Sequence, residues 1–205
     1  MSAKIPRIYP VKKTNGVIQV MVGTVPDKYH WFISLLGMKG SVTLGQRQLE
    51  ELKSSTSSLA LEASILYYTI KGLINQEHRE ASEGILKNLK TQPENRLLLF
   101  LGVNMLVKNS QSEQALQLIT TLDKEDQGLP MYYIEYLRGE ILLQKGNYHS
   151  AIQAYHKFIQ HYKSENFKKD AYFKISLCYW LDNKDQLAQQ FFSDCPKNWK
   201  NYSRA

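Results

Sequence analysis

MYYIEYLRGEILLQKGNYHSAIQAYHKFIQHYK, residues 131–163, holds two helical patterns around a single break. The first helix is expected from about Tyr133 to Gln144, stopped at Lys145-Gly146-Asn147. Glycine there enters the left-handed conformation that ends a helix without a Cβ clash. The second helix starts near Tyr148 and puts Ala151, Tyr155 and Phe158 on one face by 3–4 spacing. Gly139 and Ala151 are the small residues that let the two helices approach, and Tyr148 wedges into the turn.

Ala151 belongs to a ladder. Ala81, Ala115, Ala151 and Ala188 stand 34, 36 and 37 residues apart, and Gly45 sits 36 residues before the first. About four residues after each comes a large apolar residue: Leu49, Ile85, Ile119, Tyr155 and Phe192. A small residue at fixed phase in a unit of this length marks close helix-helix contact in a helical repeat protein.

The neighbouring units follow the same phase. Residues 170–196 put Ser176 in the place of Gly139, turn at Asp182-Asn183-Lys184-Asp185, and end at Cys195-Pro196. Residues 95–122 carry Gly102, a turn at Lys108-Asn109-Ser110, and Ala115; the unit from Leu59 to Pro93 turns at Asn75-Gln76. The first unit, 26–52, is the weakest, because Gly40 and Gly45 both lower helix propensity. Ser54 to Ser58 is a polar linker. Before it, Ile18 to Val25 reads equally as the end of a helix or a short extended stretch. The expected organisation is a basic arm at 1–25, about five helix pairs over 26–196, and a tail at 197–205 whose Trp199 and Tyr202 could fold back. The expected fold class is all-α, with antiparallel helix pairs stacked in a right-handed superhelix.

Composition sets outer limits. The chain has 205 residues, 43% of them hydrophobic and 22% charged, which is ordinary for a folded chain. Residues 1–20 contain no apolar core of a secretory signal. The longest apolar run, 97–103, meets Asn104 and falls short of a bilayer span. Cys178 and Cys195 form no CxxC pair, which suits a reducing compartment; a cytoplasmic location is expected, with peripheral attachment to an organelle membrane left open. The net charge of +7 is concentrated early, in Lys4, Arg7, Lys12, Lys13, Lys28, Lys39 and Arg47. Such an arm serves as a solvated tail or leans on an acidic protein or anionic membrane. Nucleic acid is disfavoured, since no Arg/Lys stripe or recognition-helix pattern accompanies the charge.

Nothing in the sequence reads as catalytic, and no cofactor or metal is expected. His30, His78, His149, His156 and His161 include no HExxH and no recognised ligand spacing. Gly37, Gly40 and Gly45 have no GK[ST] sequel. Glu50-Glu51 and Asp123 with Glu125-Asp126 sit in polar segments rather than in an apolar cleft.

The order Gly139, Leu142, Gly146, Tyr148, Ala151, Tyr155 resembles a tetratricopeptide repeat (TPR). The family's bulky aromatic and leucine early in the first helix fall here on Glu135 and Arg138. Extended by Ala81 with Pro93, Ala115, and Ala188 with Phe192, the resemblance covers roughly residues 26–195. It implies a TPR-like α-solenoid that holds other proteins. A narrower likeness rests on VPDKYHWFISLLGMKGSVTLGQRQLEEL, through Pro26, Lys28, Leu36-Gly37, Gly40, Gly45 and Leu49. This stretch is similar to the opening of the repeat region in the TPR 39 and yeast inclusion-body-clearance proteins. That likeness implies a middle or later portion of a longer architecture.

In such a solenoid the first helix of each pair lines the concave surface. The inward candidates are His30, Ser34, Leu66 and Ile70, then Phe100, Asn104, Tyr133, Tyr136, Glu140, Phe173, Leu177 and Trp180. Three arrangements fit these residues: a groove open to a partner, a face closed on itself as core, or a face whose Leu66, Ile70 and Phe100 are covered by N-terminal helices in a longer relative and here by the basic arm or a second copy. An open groove would take a protein or peptide with an apolar segment. Asn104 stands nearly alone as a polar reader, so a clamp for a C-terminal carboxylate is disfavoured. Self-association would cover Leu66, Ile70 and Phe100. The expected function is a non-catalytic protein-interaction scaffold, with a small-molecule-binding or enzymatic helical protein, or a truncated structural member of a larger family, as the alternatives.

Overall fold

The computed structural model describes residues 8–124 and 130–194. Lys4, Arg7, Glu125-Asp126, Cys195-Pro196, Trp199, Tyr202 and the tail at 197–205 lie outside the described residues. The described chain is helical, and its fold is all-α, built of stacked antiparallel helix pairs. It divides into two compact units, 1–105 and 106–205.

Unit 1 holds α1 (Ile8–Gly23), a short 3-10 turn (Asp27–Tyr29), α2 (His30–Leu35), α3 (Val42–Lys53), α4 (Ala60–Leu73) and α5 (His78–Thr91). It also holds most of α6 (Arg96–Lys108). The stretch read as a basic arm is corrected here: residues 8–23 form a full helix packed along α3. Close backbone approach makes this contact. A Cβ on Gly16 would lie 3.2 Å from the Gly45 carbonyl, and one on Gly45 would lie 2.7 Å from Val20 Cγ2. Two of the arm's lysines are engaged as well, Lys12 with Glu51 and Lys13 with Glu62 at 2.8 Å.

The first helix pair is therefore α1 with α3, and not two halves of 26–52. Residues 26–40 form an excursion between them, almost wholly exposed. The unit's core gathers Leu49, Leu52, Ala63 and Tyr67, with Leu66 and Ile70 packed against them.

Unit 2 holds α7 (Ser112–Lys124), α8 (Tyr133–Gln144), α9 (Tyr148–His161), α10 (Lys168–Leu181) and α11 (Asp185–Asp194). Consecutive helices pack on one another. The two helices read from residues 131–163 end and begin at the residues expected, and Ala151, Tyr155 and Phe158 are all fully buried.

The alanine ladder has a backbone cause. Gln76, Ser110, Gly146 and Asn183 all have positive φ, between 58° and 74°, and each stands five residues before a ladder alanine. Each ends the first helix of a pair. At three of these turns the same two hydrogen bonds close the helix, Ser110 N–H to Val107 O with Gln111 N–H to Leu106 O being one set. Gly146 and Asn147 repeat them onto Leu143 and Leu142, and Asn183 and Lys184 onto Trp180 and Tyr179. These bonds satisfy carbonyls that the helix end would leave open. The ladder thus records a fixed turn, and at Ala81, Ala151 and Ala188 the alanine packs where that turn brings two helices of one unit together. Gly40, five residues before Gly45, is not among the positive-φ positions, so the first unit departs from the pattern.

Candidate interaction surface

The residues expected along the inner face separate into two groups in unit 2. Tyr133, Tyr136 and Glu140 come from α8, and α9 and α10 close over them. Tyr136 is only 7% exposed; its ring stacks on Tyr133 at 5.3 Å and lies 5.4 Å from Phe158. Its hydroxyl donates to Asp170 Oδ2 at 2.5 Å and accepts from Lys174 Nζ at 2.9 Å. Lys174 also pairs with Glu140 at 2.6 Å and with Asp170 at 3.0 Å. Tyr155 donates to Glu140 Oε1 at 2.5 Å.

This network fastens α8 to α9 and α10. Burial first, and then hydrogen bonds to Asp170 and Glu140 respectively, hold the Tyr136 and Tyr155 phenols far above their ordinary range. Both stay neutral hydrogen-bond donors at physiological pH. For Tyr136 and Glu140 the arrangement is that of an interior lock.

Phe173, Leu177 and Trp180 behave differently. They follow i, i+4, i+7 spacing on α10 and so form one stripe about two turns long. Phe173 is 47% and Trp180 60% exposed, and Leu177 is half-buried between them. The opposite side of α10 is fixed in the core through Ala171, Ile175 and Cys178, all fully buried. Ser176, in the slot that glycine fills one unit earlier, donates to Ala188 O at 2.7 Å and ties α10 to α11. Lys174 and Asp170 run along one edge of the stripe.

Phe100 and Asn104 belong to unit 1 and are half-buried. The Asn104 amide donates back to the Phe100 carbonyl at 2.8 Å. His30 and Ser34 lie on the exposed excursion.

The departure from the repeat pattern at Glu135 and Arg138 also has an explanation. Glu135, 7% exposed, accepts from Arg138 at 3.0 Å and from Lys157 at 2.7 Å, while Arg138 reaches Asp123 at 2.7 Å. An ionic bridge joining α7, α8 and α9 occupies the place of an apolar pair. Sequence reasoning did not find it, although the 3-residue spacing of Glu135 and Arg138 was a visible sign of pairing.

Among the described residues no group of three or more His, Cys, Asp or Glu is placed to hold a metal ion. Cys178 is a free, buried thiol, pushed up to about 11 by burial and then by the charges of Glu140 and Asp182. Such a thiol stays protonated and is a poor nucleophile. No helix of the described residues is long and apolar enough to cross a membrane.

A tetratricopeptide repeat family model matches residues 133–164, which is α8 with α9 and the turn that follows. Among solved structures, the chain is similar to MamA (41-end) from Desulfovibrio magneticus RS-1. The two are 16% identical with a TM-score of 0.63, over 83% of this chain and 94% of that one. No curated protein sequence matches. The likeness to MamA is one of fold, and with the repeat match it makes this chain a TPR-like helical repeat protein.

Proposed function

We propose that this protein is a non-catalytic scaffold that holds a protein or peptide partner against the α10 face of unit 2. The observation that carries the reading is the ridge of Phe173, Leu177 and Trp180. Single exposed apolar residues are ordinary on protein surfaces. Here two large aromatics share one stripe on a helix whose back is locked in the core, so little entropy is lost when they are covered.

The charged groups beside the ridge favour an apolar ligand. Lys174 already holds Glu140 and Asp170, which leaves it poorly placed to grip a C-terminal carboxylate. A segment laying two or three apolar side chains over Phe173 and Trp180, with its polar groups along the Asp170–Lys174 edge, fits this surface. TPR-like folds commonly serve as holders of other proteins, which supports the reading without identifying the partner. The buried free Cys178 suits work in the cytoplasm.

The test is affinity capture with the full chain, wild type against Phe173→Ala/Trp180→Ala, after matched urea midpoints confirm that both fold. Proteins recovered by the wild type and lost from the variant support the ridge. Equal recovery of every protein contradicts it.

A further inference from the structure

Unit 1 carries a different exposed apolar feature, separate from the α10 ridge of unit 2. The chain leaves α1 at Gly23 and enters α3 at Val42, and the two strands of this neck touch through glycines. A Cβ on Gly40 would collide with the backbone nitrogen of Gly23, and one on Gly23 would lie 2.8 Å from the nitrogen of Val42. Residues 24–39, which hold the 3-10 turn and α2, are therefore an excursion with pinned ends, of the size of an Ω-loop. Loops of that kind usually pack their own side chains inward. This one turns them out: Trp31 is 69% and Leu35 74% exposed, and Tyr29, Phe32, Leu36 and Met38 are exposed beside them.

We propose that this finger is a membrane-contact element that inserts its apolar side chains into the interface of an anionic lipid bilayer. At about 100° per residue, Trp31, Leu35 and Phe32 of α2 spread over an arc of about 100°, and Leu36 follows at its C-cap. Trp and Tyr are the side chains that settle at headgroup depth. Lys28 and Lys39 bracket the apolar run, and among the described residues neither is paired with a carboxylate. The acid in the loop, Asp27, lies 3.5 Å from His30 Nδ1. Apolar insertion combined with flanking lysines is the pairing that gives stable yet reversible attachment.

The test is co-sedimentation of the full chain with vesicles of phosphatidylcholine alone and of phosphatidylcholine with phosphatidylserine, at physiological salt. The wild type is expected to pellet with the phosphatidylserine vesicles, and Trp31→Glu/Leu35→Glu to lower the bound fraction about tenfold or more. Lys28→Gln and Lys39→Gln should each cost about fivefold on phosphatidylserine vesicles alone. With Trp180→Phe/Trp199→Phe, the remaining Trp31 emission should shift to the blue on the same vesicles. Phe173→Ala/Trp180→Ala should bind lipid as the wild type does, so failure of the scaffold reading leaves this result untouched. A wild type that stays in the supernatant at both compositions overturns the proposal. So does pelleting that survives Trp31→Glu/Leu35→Glu. In the first case light scattering assigns the finger elsewhere: a dimer dissolved by Trp31→Glu/Leu35→Glu means a second copy, and a monomer means a groove on another protein.

Discussion

Gly139 of α8 lies so close to the ring of Tyr155 on α9 that a Cβ added to it would fall 2.5 Å from Cε1. The ring is fully buried and its hydroxyl is bonded to Glu140, so it has nowhere to withdraw. Gly139→Ala should therefore destabilise the protein by about 1–3 kcal/mol, although alanine is the better helix former by about 1 kcal/mol. Urea unfolding measures it. In a Tyr155→Val background the cost should shrink or reverse, as a double-mutant cycle would show. An equal penalty in both backgrounds would mean that the ring is not the cause.

The shared turn makes an opposite prediction. Gln76 and Ser110 occupy left-handed conformations at φ 60° and 58°, where a Cβ is strained. Gln76→Gly and Ser110→Gly should each stabilise by about 0.5–1 kcal/mol. Asn183→Gly should change little, because Asn tolerates that region. Gly146→Ala should cost about 1 kcal/mol, with the effect read from the urea midpoint.

Glu135 is the buried member of the bridge across α7, α8 and α9. Glu135→Ala should destabilise by about 2–3 kcal/mol, since Arg138 then lies against a cavity with only Asp123 to hold it. Lys157 is 58% exposed along its side chain, and Lys157→Met should cost less than about 1 kcal/mol. A reversed order would place the weight of the network on its exposed end.

Cys178 and Tyr67 predict the alkaline behaviour. The folded-state thiol is raised from about 9 to about 11, and the Tyr67 phenol from about 10 to about 12, burial being the largest cause of each. A group raised in the fold contributes stability fully present below its unfolded value and lost as pH rises through its folded value. Stability should hold up to about pH 9 and then fall, with Cys178 accounting for roughly 2–3 kcal/mol of the loss by pH 11. Urea midpoints between pH 8 and 11 should fall less steeply for Cys178→Ala than for the wild type. Parallel curves would contradict that assignment.

What the sequence made legible was the part governed by local rules. The turn at Gly146, the start of α9 at Tyr148 and the face of Ala151, Tyr155 and Phe158 follow from spacing and backbone conformation alone. The alanine ladder located the other turns because each alanine stands at a fixed distance from a left-handed residue. Contacts between segments with no shared period were not legible. The pairing of α1 with α3 rests on Gly16 and Gly45, and the β-branched run near Ile18 hid the helix. Nothing in the spacing of residues 26–40 separates them from a repeat helix, and only the Gly23–Gly40 neck shows why they project. Within the candidate surface, Tyr136 and Trp180 have equal claims as sequence. Lys174 and Asp170 decide between them, by drawing Tyr136 into a network and leaving Trp180 outside it.

The most direct measurement is a titration of the purified chain against a partner recovered by capture. Phe173→Ala/Trp180→Ala should raise Kd by about 30-fold or more, as truncating two central anchors does, while Trp31→Ala/Leu35→Ala on the finger leaves it unchanged. A Kd that is the same for the wild type and the α10 variant, both folded, would contradict the claim that this ridge is where the protein holds its partner.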